Sequence, residues 1–247
     1  MARLFGRVWR VRMDTIELEG KPGAPGLSVS FEIEKSSKRE PNTCKLRVWN
    51  LSPDHRKQLE ALSSKKTKGS GQIRVEVEAG YVDATSLIFR GDLRRADTTR
   101  EGADLVTALE GEDGGRSILR SRVSKTFPAG TRQDVVVKAC AEALGVGSGN
   151  LSDVSGDLRR TFTEGTVLTG SAADELDRVL RSAGLTYSIQ NGVLQIVKRG
   201  GGLQATAVRL TSATGLVGSP SVNVDGTVKA TALMVPDVYP GRRVLFE

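Results

Sequence analysis

Hydrophobic and polar side chains alternate one for one over residues 26–34, where Leu27, Val29, Phe31 and Ile33 interleave with Ser28, Ser30, Glu32 and Glu34. Successive side chains of a strand point to opposite faces, so this pattern predicts a half-buried β-strand. Residues 43–49 repeat it, with Cys44, Leu46 and Val48 on one face and Thr43, Lys45 and Arg47 on the other. Residues 36–42 between them are polar and contain a proline, which predicts a turn or a wide connection. The period then changes. Ser52-Pro53-Asp54 reads as a helix start, because Ser52 can cap free amides and Pro53 at the first helical position loses no hydrogen bond. Leu59 and Leu62 follow at helical spacing, so a short helix is expected to about Leu62. Alternation returns at Ile73, Val75, Val77 and Ala79 and ends at Gly80-Tyr81. Leu87, Ile88 and Phe89 form another apolar run closed by Gly91. Leu105, Val106 and Leu109 make a further strand that ends in the turn-prone residues 111–115. The first half therefore reads as a small antiparallel β-domain, a barrel or a sandwich.

The middle has a helical period. Thr131 is expected to open a helix, with Asp134 three residues later in a weak capping box. Val136, Ala139, Cys140, Ala143 and Leu144 fall at helical spacing, and Gly145 is the stop signal. After a polar stretch over residues 145–156, Ser171 and Asp174 open a second helix. Leu176, Val179, Leu180 and Ala183 line its inner face, and Gly184 ends it. Asn191-Gly192 then lies between the apolar strands at Tyr187 and Val193, a hairpin signal because both residues tolerate positive φ. This predicts a compact α/β domain of two helices and a small sheet. Residues 199–202, Arg-Gly-Gly-Gly, read as a linker. Strand patterns return at 207–210, 228–234 and 243–246. The chain stops at Glu247 soon after the turn Pro240-Gly241, so final strands are expected from a neighbouring subunit or from residues beyond this sequence.

Composition narrows the function. The 247 residues carry 36 Lys+Arg against 29 Asp+Glu, a net charge of +7, with 28 glycines and few aromatics. There is no run of about 18 apolar residues for a membrane span. Residues 1–12 mix arginines with Leu4, Phe5, Val8 and Trp9 and lack the apolar core of a signal peptide. Cys44 and Cys140 are isolated and read as buried reduced thiols rather than as a disulfide. The positive charge is dispersed, apart from Lys65, Lys66 and Lys68 in the Ser/Gly-rich residues 63–71, expected as a solvated loop. With no nucleic-acid-binding motif beside it, the charge reads as a docking complement to acidic protein neighbours.

No catalytic, cofactor-binding or metal-ligating residue stands out. His55 is the only histidine, so a triad would rest on one imidazole in a surface helix, and a two-histidine zinc site is excluded within one chain. Glu32 and Glu34 share a solvated strand face, and Asp174, Glu175 and Asp177 complement a helix dipole. Either set could be read as a glycosidase pair, but none sits in a recognisable apolar pocket. Gly145, Gly147 and Gly149 follow a helix rather than a strand and fail the dinucleotide test. The sequons at Asn50 and Asn150 are short patterns of low specificity. Trp49, Tyr81 and Phe89, near strand ends, read as core rather than as interface anchors.

Three segments together resemble the tail hub family of contractile phages, the Mu-like and late-control-D-like hub proteins, which are related in fold to the hub part of type VI secretion spikes. The first is Lys38-Arg-Glu-Pro-Asn-Thr-Cys-Lys-Leu-Arg-Val-Trp-Asn-Leu-Ser52. The second is Val75-Glu-Val-Glu-Ala-Gly-Tyr81 followed by Leu87-Ile-Phe-Arg-Gly91. The third is Leu210-Thr-Ser-Ala-Thr-Gly-Leu-Val-Gly-Ser-Pro220, then residues 228–233, then Pro240-Gly-Arg-Arg-Val244. The resemblance implies an α+β, β-rich chain of two tail-tube-like antiparallel β-barrel domains, over residues 1–122 and 201–247, with a small α/β domain inserted over 123–200. The second barrel would be incomplete within this sequence. It implies a structural, non-enzymatic baseplate hub subunit without cofactor. Three copies would form a ring joining a sixfold tail tube to a threefold central spike and help to start tube assembly. The implied partners are further copies of itself, the tail tube protein, the spike, other baseplate proteins and the tape measure protein, with no membrane and no specific nucleic acid. The implied location is the virion tail, assembled in the bacterial cytoplasm. A basic nucleic-acid-binding protein and a tail-borne cell-wall hydrolase are the alternatives.

Overall fold

Alternation becomes strand over most of the chain. The computed structural model describes residues 5–67 and 73–247. The chain divides into two compact units, each drawn from separated stretches. The first comprises Met1–Phe31, Leu46–Leu109 and Ala205–Glu247, and the second Glu32–Lys45 and Glu110–Gln204. Strands β1 (Arg7–Met13), β2 (Ile16–Gly20), β3 (Val29–Glu34), β4 (Asn42–Trp49), β5 (Arg74–Tyr81), β6 (Ala84–Glu101) and β7 (Asp104–Asp113) form one sheet in the order β2-β1-β5-β6-β7-β4-β3. The sheet is open, with β2 and β3 at its edges, and no closed barrel is formed by strand pairing among the described residues.

Two strands at the start were not expected. Trp9, Val11 and Met13 alternate with Arg10 and Arg12, then Ile16 and Leu18 with Glu17 and Glu19, and Val11, Met13, Ile16 and Leu18 are buried. β1 pairs antiparallel with both β2 and β5. Its arginines find carboxylates on both flanks: Arg10 lies 3.0 Å from Glu17, and Arg12 lies 3.2 Å from Glu78. Each such exposed pair contributes little alone. Cross-strand placement nevertheless keeps like charges apart on the solvated face.

Gly91 does not close the Leu87-Ile88-Phe89 run. β6 continues through it for 18 residues, with Gly91 paired to Val75. The three consecutive apolar residues fit because the register shifts there: Val77 opposes Phe89 while Glu78 opposes Leu87, leaving Ile88 as the extra residue of a bulge. Likewise β7 runs through Gly111 and ends at Asp113. Phe89 and Tyr81 are buried, as expected of core aromatics, whereas Trp49 is only half-buried.

Helix α1 (Pro53–Thr67) starts where Ser52-Pro53 predicts. The His55 N–H donates to Ser52 Oγ at 3.2 Å. The helix extends past Leu62 to Thr67, so part of the expected loop is helical. Residues 68–72, with Lys68, lie outside the described residues, as do the side chains of Leu62, Lys65 and Lys66. Ser52→Ala is expected to cost about 1 kcal/mol, the usual loss of an N-cap. A downward shift of the urea midpoint at constant m-value would report it.

The second unit holds α2 (Gly115–Arg120), β8 (Arg122–Phe127), α3 (Gln133–Leu144), β9 (Thr166–Ser171), α4 (Ala172–Ser182), β10 (Leu185–Gln190) and β11 (Val193–Lys198). Its core combines Val136, Cys140 and Leu144 of α3, Leu176, Val179 and Leu180 of α4, and Tyr187, Leu194 and Ile196 of the hairpin. Ser171 caps α4 by accepting from the Asp174 N–H, as its sequence predicts. The start of α3 differs. Arg132 is its N-cap with no side-chain cap, because Thr131 Oγ1 donates instead to the Pro128 carbonyl and Asp134 binds Arg132. Gly145 ends α3 in the left-handed region. Asn191 and Gly192 turn the β10–β11 hairpin at φ 56° and 76°. The ribbon of β8 and β9 has no counterpart in the expected elements.

The last stretch of the first unit consists of β12 (Val208–Leu210), a 3₁₀ turn (Ser212–Thr214), β13 (Leu216–Val222), β14 (Val228–Ala232) and β15 (Val244–Phe246). β12 pairs in parallel with β15, and β13 pairs with β14. β13, holding Gly218 and Pro220, was not expected.

Candidate assembly surface

The residues considered for chemistry do not converge. His55 is half-buried on α1. Glu32 and Glu34 are exposed, and Glu32 faces Lys45 at 3.9 Å. At the start of α4, Asp174 binds Arg39, Glu175 binds Arg178, and Asp177 lies between Arg39 and Arg181. The Arg39 hydrogen bond holds the exposed Asp174 carboxyl below its ordinary range. These acids are ion-paired, which is the opposite of a carboxyl kept protonated for acid catalysis. Cys44 and Cys140 are both buried free thiols, and burial pushes each up to about 12. Among the described residues no group of three or more His, Cys, Asp or Glu side chains is placed to hold a metal ion. No described helix is long and apolar enough to cross a membrane.

The polar residues of the motif segments do structural work. Asn42 is buried and its amide donates to the Ile189 carbonyl at 2.8 Å and to Asp113 at 3.2 Å, while its oxygen accepts from the Ser36 N–H. Asp113 is buried and also accepts from the Asn191 and Gly192 N–H groups at 2.6 and 2.9 Å. Lys35 reaches the same corner and donates to Asn191 Oδ1 at 2.9 Å. Burial lowers the Lys35 ammonium from its usual value, against the attraction of Asp113. The network ties the hairpin turn to the ends of β4 and β7 inside the second unit.

Asn50 plays a comparable part in the first unit. It sits in the left-handed region at φ 55°, and its N–H donates to the Leu105 carbonyl while its side chain accepts from the Leu105 N–H and donates to Asp104. The run Trp-Asn-Leu-Ser thus ends a strand, turns, buries Leu51 and caps α1. Arg47 stacks 5.2 Å from the Trp49 ring and pairs with Glu101. Asn150 pairs its side chain in both directions with the backbone of Ile196, at 2.7 and 2.8 Å. The two sequons are therefore backbone-binding positions. Neither role was readable from a three-residue pattern.

The feature that does not behave as a closed core is the last stretch. Every residue of β14 is exposed, and so are Val217, Val222, Val224, Val238 and Leu245. Between the β13–β14 hairpin and the β12–β15 pair lies an apolar trough of about 390 Å³, lined by Leu210, Val228, Ala230, Ala232, Val244 and Phe246 among others. Two-stranded pieces are marginal in water by themselves, and parallel pairs are normally covered on both faces. Contiguous exposed apolar surface of this kind marks an interaction site.

Comparison with known proteins agrees with that reading of the molecule as a part of an assembly. No curated protein matches the chain. Among solved structures, a tail protein from Neisseria meningitidis MC58 is similar, with TM-score 0.55 at 11% identity, covering 98% of this chain and 72% of that one. The 43 kDa tail protein of prophage MuSo2 from Shewanella oneidensis is similar at TM-score 0.56 and 9% identity, covering 98% and 71%. The c3393 protein of E. coli, a type VI secretion component, aligns at TM-score 0.48 and 10% identity, covering 96% and 66%. At these identities the likeness to the two tail proteins is one of fold. The family described as baseplate hub gp41 matches residues 12–247. The chain belongs to the baseplate hub gp41 family, whose members are structural proteins of the phage tail.

Proposed function

We propose that three copies of this chain form a ring at the tail baseplate, joining the sixfold tail tube to the threefold central spike and helping to start tube assembly. In this reading residues 1–122 and 201–247 act as two tube-like β-domains per copy, with residues 123–200 inserted between them. Six similar domains then surround one axis from three chains. The partners are other copies, the tail tube protein, the spike, other baseplate proteins and the tape measure protein, and assembly takes place in the host cytoplasm. The chain has no catalytic task in this scheme.

The observation that carries the reading is the exposed apolar trough of the last stretch, which a neighbouring copy would cover. The charge of +7 favours docking on acidic neighbours and sets register more than affinity. Light scattering of the purified chain tests the ring: a mass of about three times 26.4 kDa is expected, with threefold rings in electron micrographs. A chain that stays monomeric at every concentration, and binds DNA with steep salt dependence, would replace this reading with nucleic-acid binding.

A further inference from the structure

Of the five asparagines, only Asn191 precedes a glycine. Such a pair carries its own reaction. The backbone nitrogen after an asparagine can attack the side-chain Cγ, and a glycine nitrogen, with no Cβ beside it, is the least obstructed. The nitrogen gives its proton to a base in solvent and bonds to Cγ, the Cγ–Nδ2 bond breaks, and Nδ2 takes up a proton and leaves as ammonia. Water then opens the five-membered succinimide ring. Addition at Cγ leaves aspartate. Addition at the main-chain carbonyl carbon leaves isoaspartate, whose backbone runs through the former side chain.

In the second unit both reacting groups are held away from that course. The Gly192 N–H donates to Asp113 Oδ1 at 2.9 Å, and the Asn191 N–H to Asp113 Oδ2 at 2.6 Å. The Asn191 carboxamide oxygen accepts from Lys35 Nζ at 2.9 Å. Asp113 is itself buried and fixed by the Asn42 amide at 3.2 Å. Attack requires the Gly192 nitrogen to lose the proton that Asp113 accepts, and a carboxylate in contact with it opposes that loss, since two negative charges would meet. Attack also requires the peptide plane between Asn191 and Gly192 to turn. That plane is held by positive φ of 56° and 76° on its two sides, in a two-residue turn closed by Gln190 opposite Val193. Burial does not give this protection: Gly192 is exposed and Asn191 half-buried, so water reaches the pair. We propose that Asn191 is a deamidation site kept latent by Asp113, which holds the attacking nitrogen, and that it converts only when this corner opens. Conversion is then one-way. Isoaspartate lengthens the backbone of a turn that pairs around two residues, and either product adds a negative charge to the corner that already holds Asp113.

The test incubates the full chain in warm neutral buffer and follows residue 191 by peptide mass spectrometry, in the folded chain, in urea, and in the variants Asp113→Ala and Leu176→Ala. Leu176 is fully buried in α4 and lies outside the corner, so its truncation weakens the same unit without removing the acceptor. Conversion in the folded wild-type chain is expected to be at least about 10-fold slower than in urea, because only the locally opened fraction reacts. Asp113→Ala, with its fold confirmed by circular dichroism, is expected to lose most of that protection, and Leu176→Ala to keep it. Folded wild-type chain that converts as fast as the chain in urea overturns the proposal. Equal conversion in the two folded variants assigns the protection to the unit at large and overturns the part given to Asp113. Amide exchange in the wild-type chain gives a reading that needs no variant: slow exchange is expected at the exposed Gly192, and exchange at the rate of an open amide overturns the proposal.

Discussion

Asp113→Ala is expected to cost the second unit about 3 kcal/mol and to free its hairpin turn. The carboxylate accepts from two backbone N–H groups of the turn and from the Asn42 amide. Removing one acceptor from buried donors leaves each of them to bear a desolvation cost of roughly 1–3 kcal/mol, reduced where water reaches the exposed Gly192. It also leaves the Lys35 ammonium in a partly buried site without its countercharge. Amide hydrogen exchange locates the effect: Asn191 and Gly192 should lose protection first. Equal exchange in the variant and the parent would show that the network holds nothing. A pH dependence follows from the same corner. Burial raises the Asp113 carboxyl above its ordinary 3.8, against its hydrogen bonds and Lys35. A carboxyl with a raised folded-state pKa favours the fold most when protonated, so its contribution is full below 3.8 and is lost as pH rises through the raised value. Stability should decline across that window, and Asp113→Asn, which does not titrate, should flatten the decline.

Phe89→Ala is expected to be at least as damaging to the first unit, at about 3–5 kcal/mol. Phe89 is fully buried in β6, opposite Val77 and beside the bulge at Ile88. Truncation removes the ring from a site that the bulge orients, and strands on both sides of β6 limit collapse of the resulting cavity. Phe89→Leu keeps most of the volume and should cost roughly 1.5 kcal/mol or less. The ratio between these two variants in urea denaturation separates a packing role from a merely hydrophobic one. If Phe89→Ala lowered stability no more than Phe89→Leu, the ring would not be a packed part of the core.

Much of the fold was legible wherever a local rule decides the structure alone. Asn191-Gly192 demands positive φ at two successive residues and is a hairpin turn. Ser52 and Ser171 offer a side-chain oxygen to free amides and cap helices. Reading failed where the answer depends on a distant partner. β1 was not anticipated, because its arginines find their partners only when Glu17 and Glu78 are brought alongside. Gly91 looks like a stop because glycine is a common turn residue, yet its place opposite Val75 keeps the strand running. The capping box proposed at Thr131 was lost to a competing carbonyl at Pro128. The open seven-stranded sheet was read as a barrel or sandwich because alternation specifies faces and not which edges meet. The candidate assembly surface was hardest to see, since the valines of the last stretch fall in strand patterns and become surface only where the strands leave them uncovered.

The interleaving of the two units has a consequence for the order of events at the ribosome. The second unit draws on residues up to Gln204, while the first also includes Ala205–Glu247, the stretch that carries the trough. Domains tend to fold as their residues emerge. The second unit can therefore complete itself while the first still lacks Ala205–Glu247.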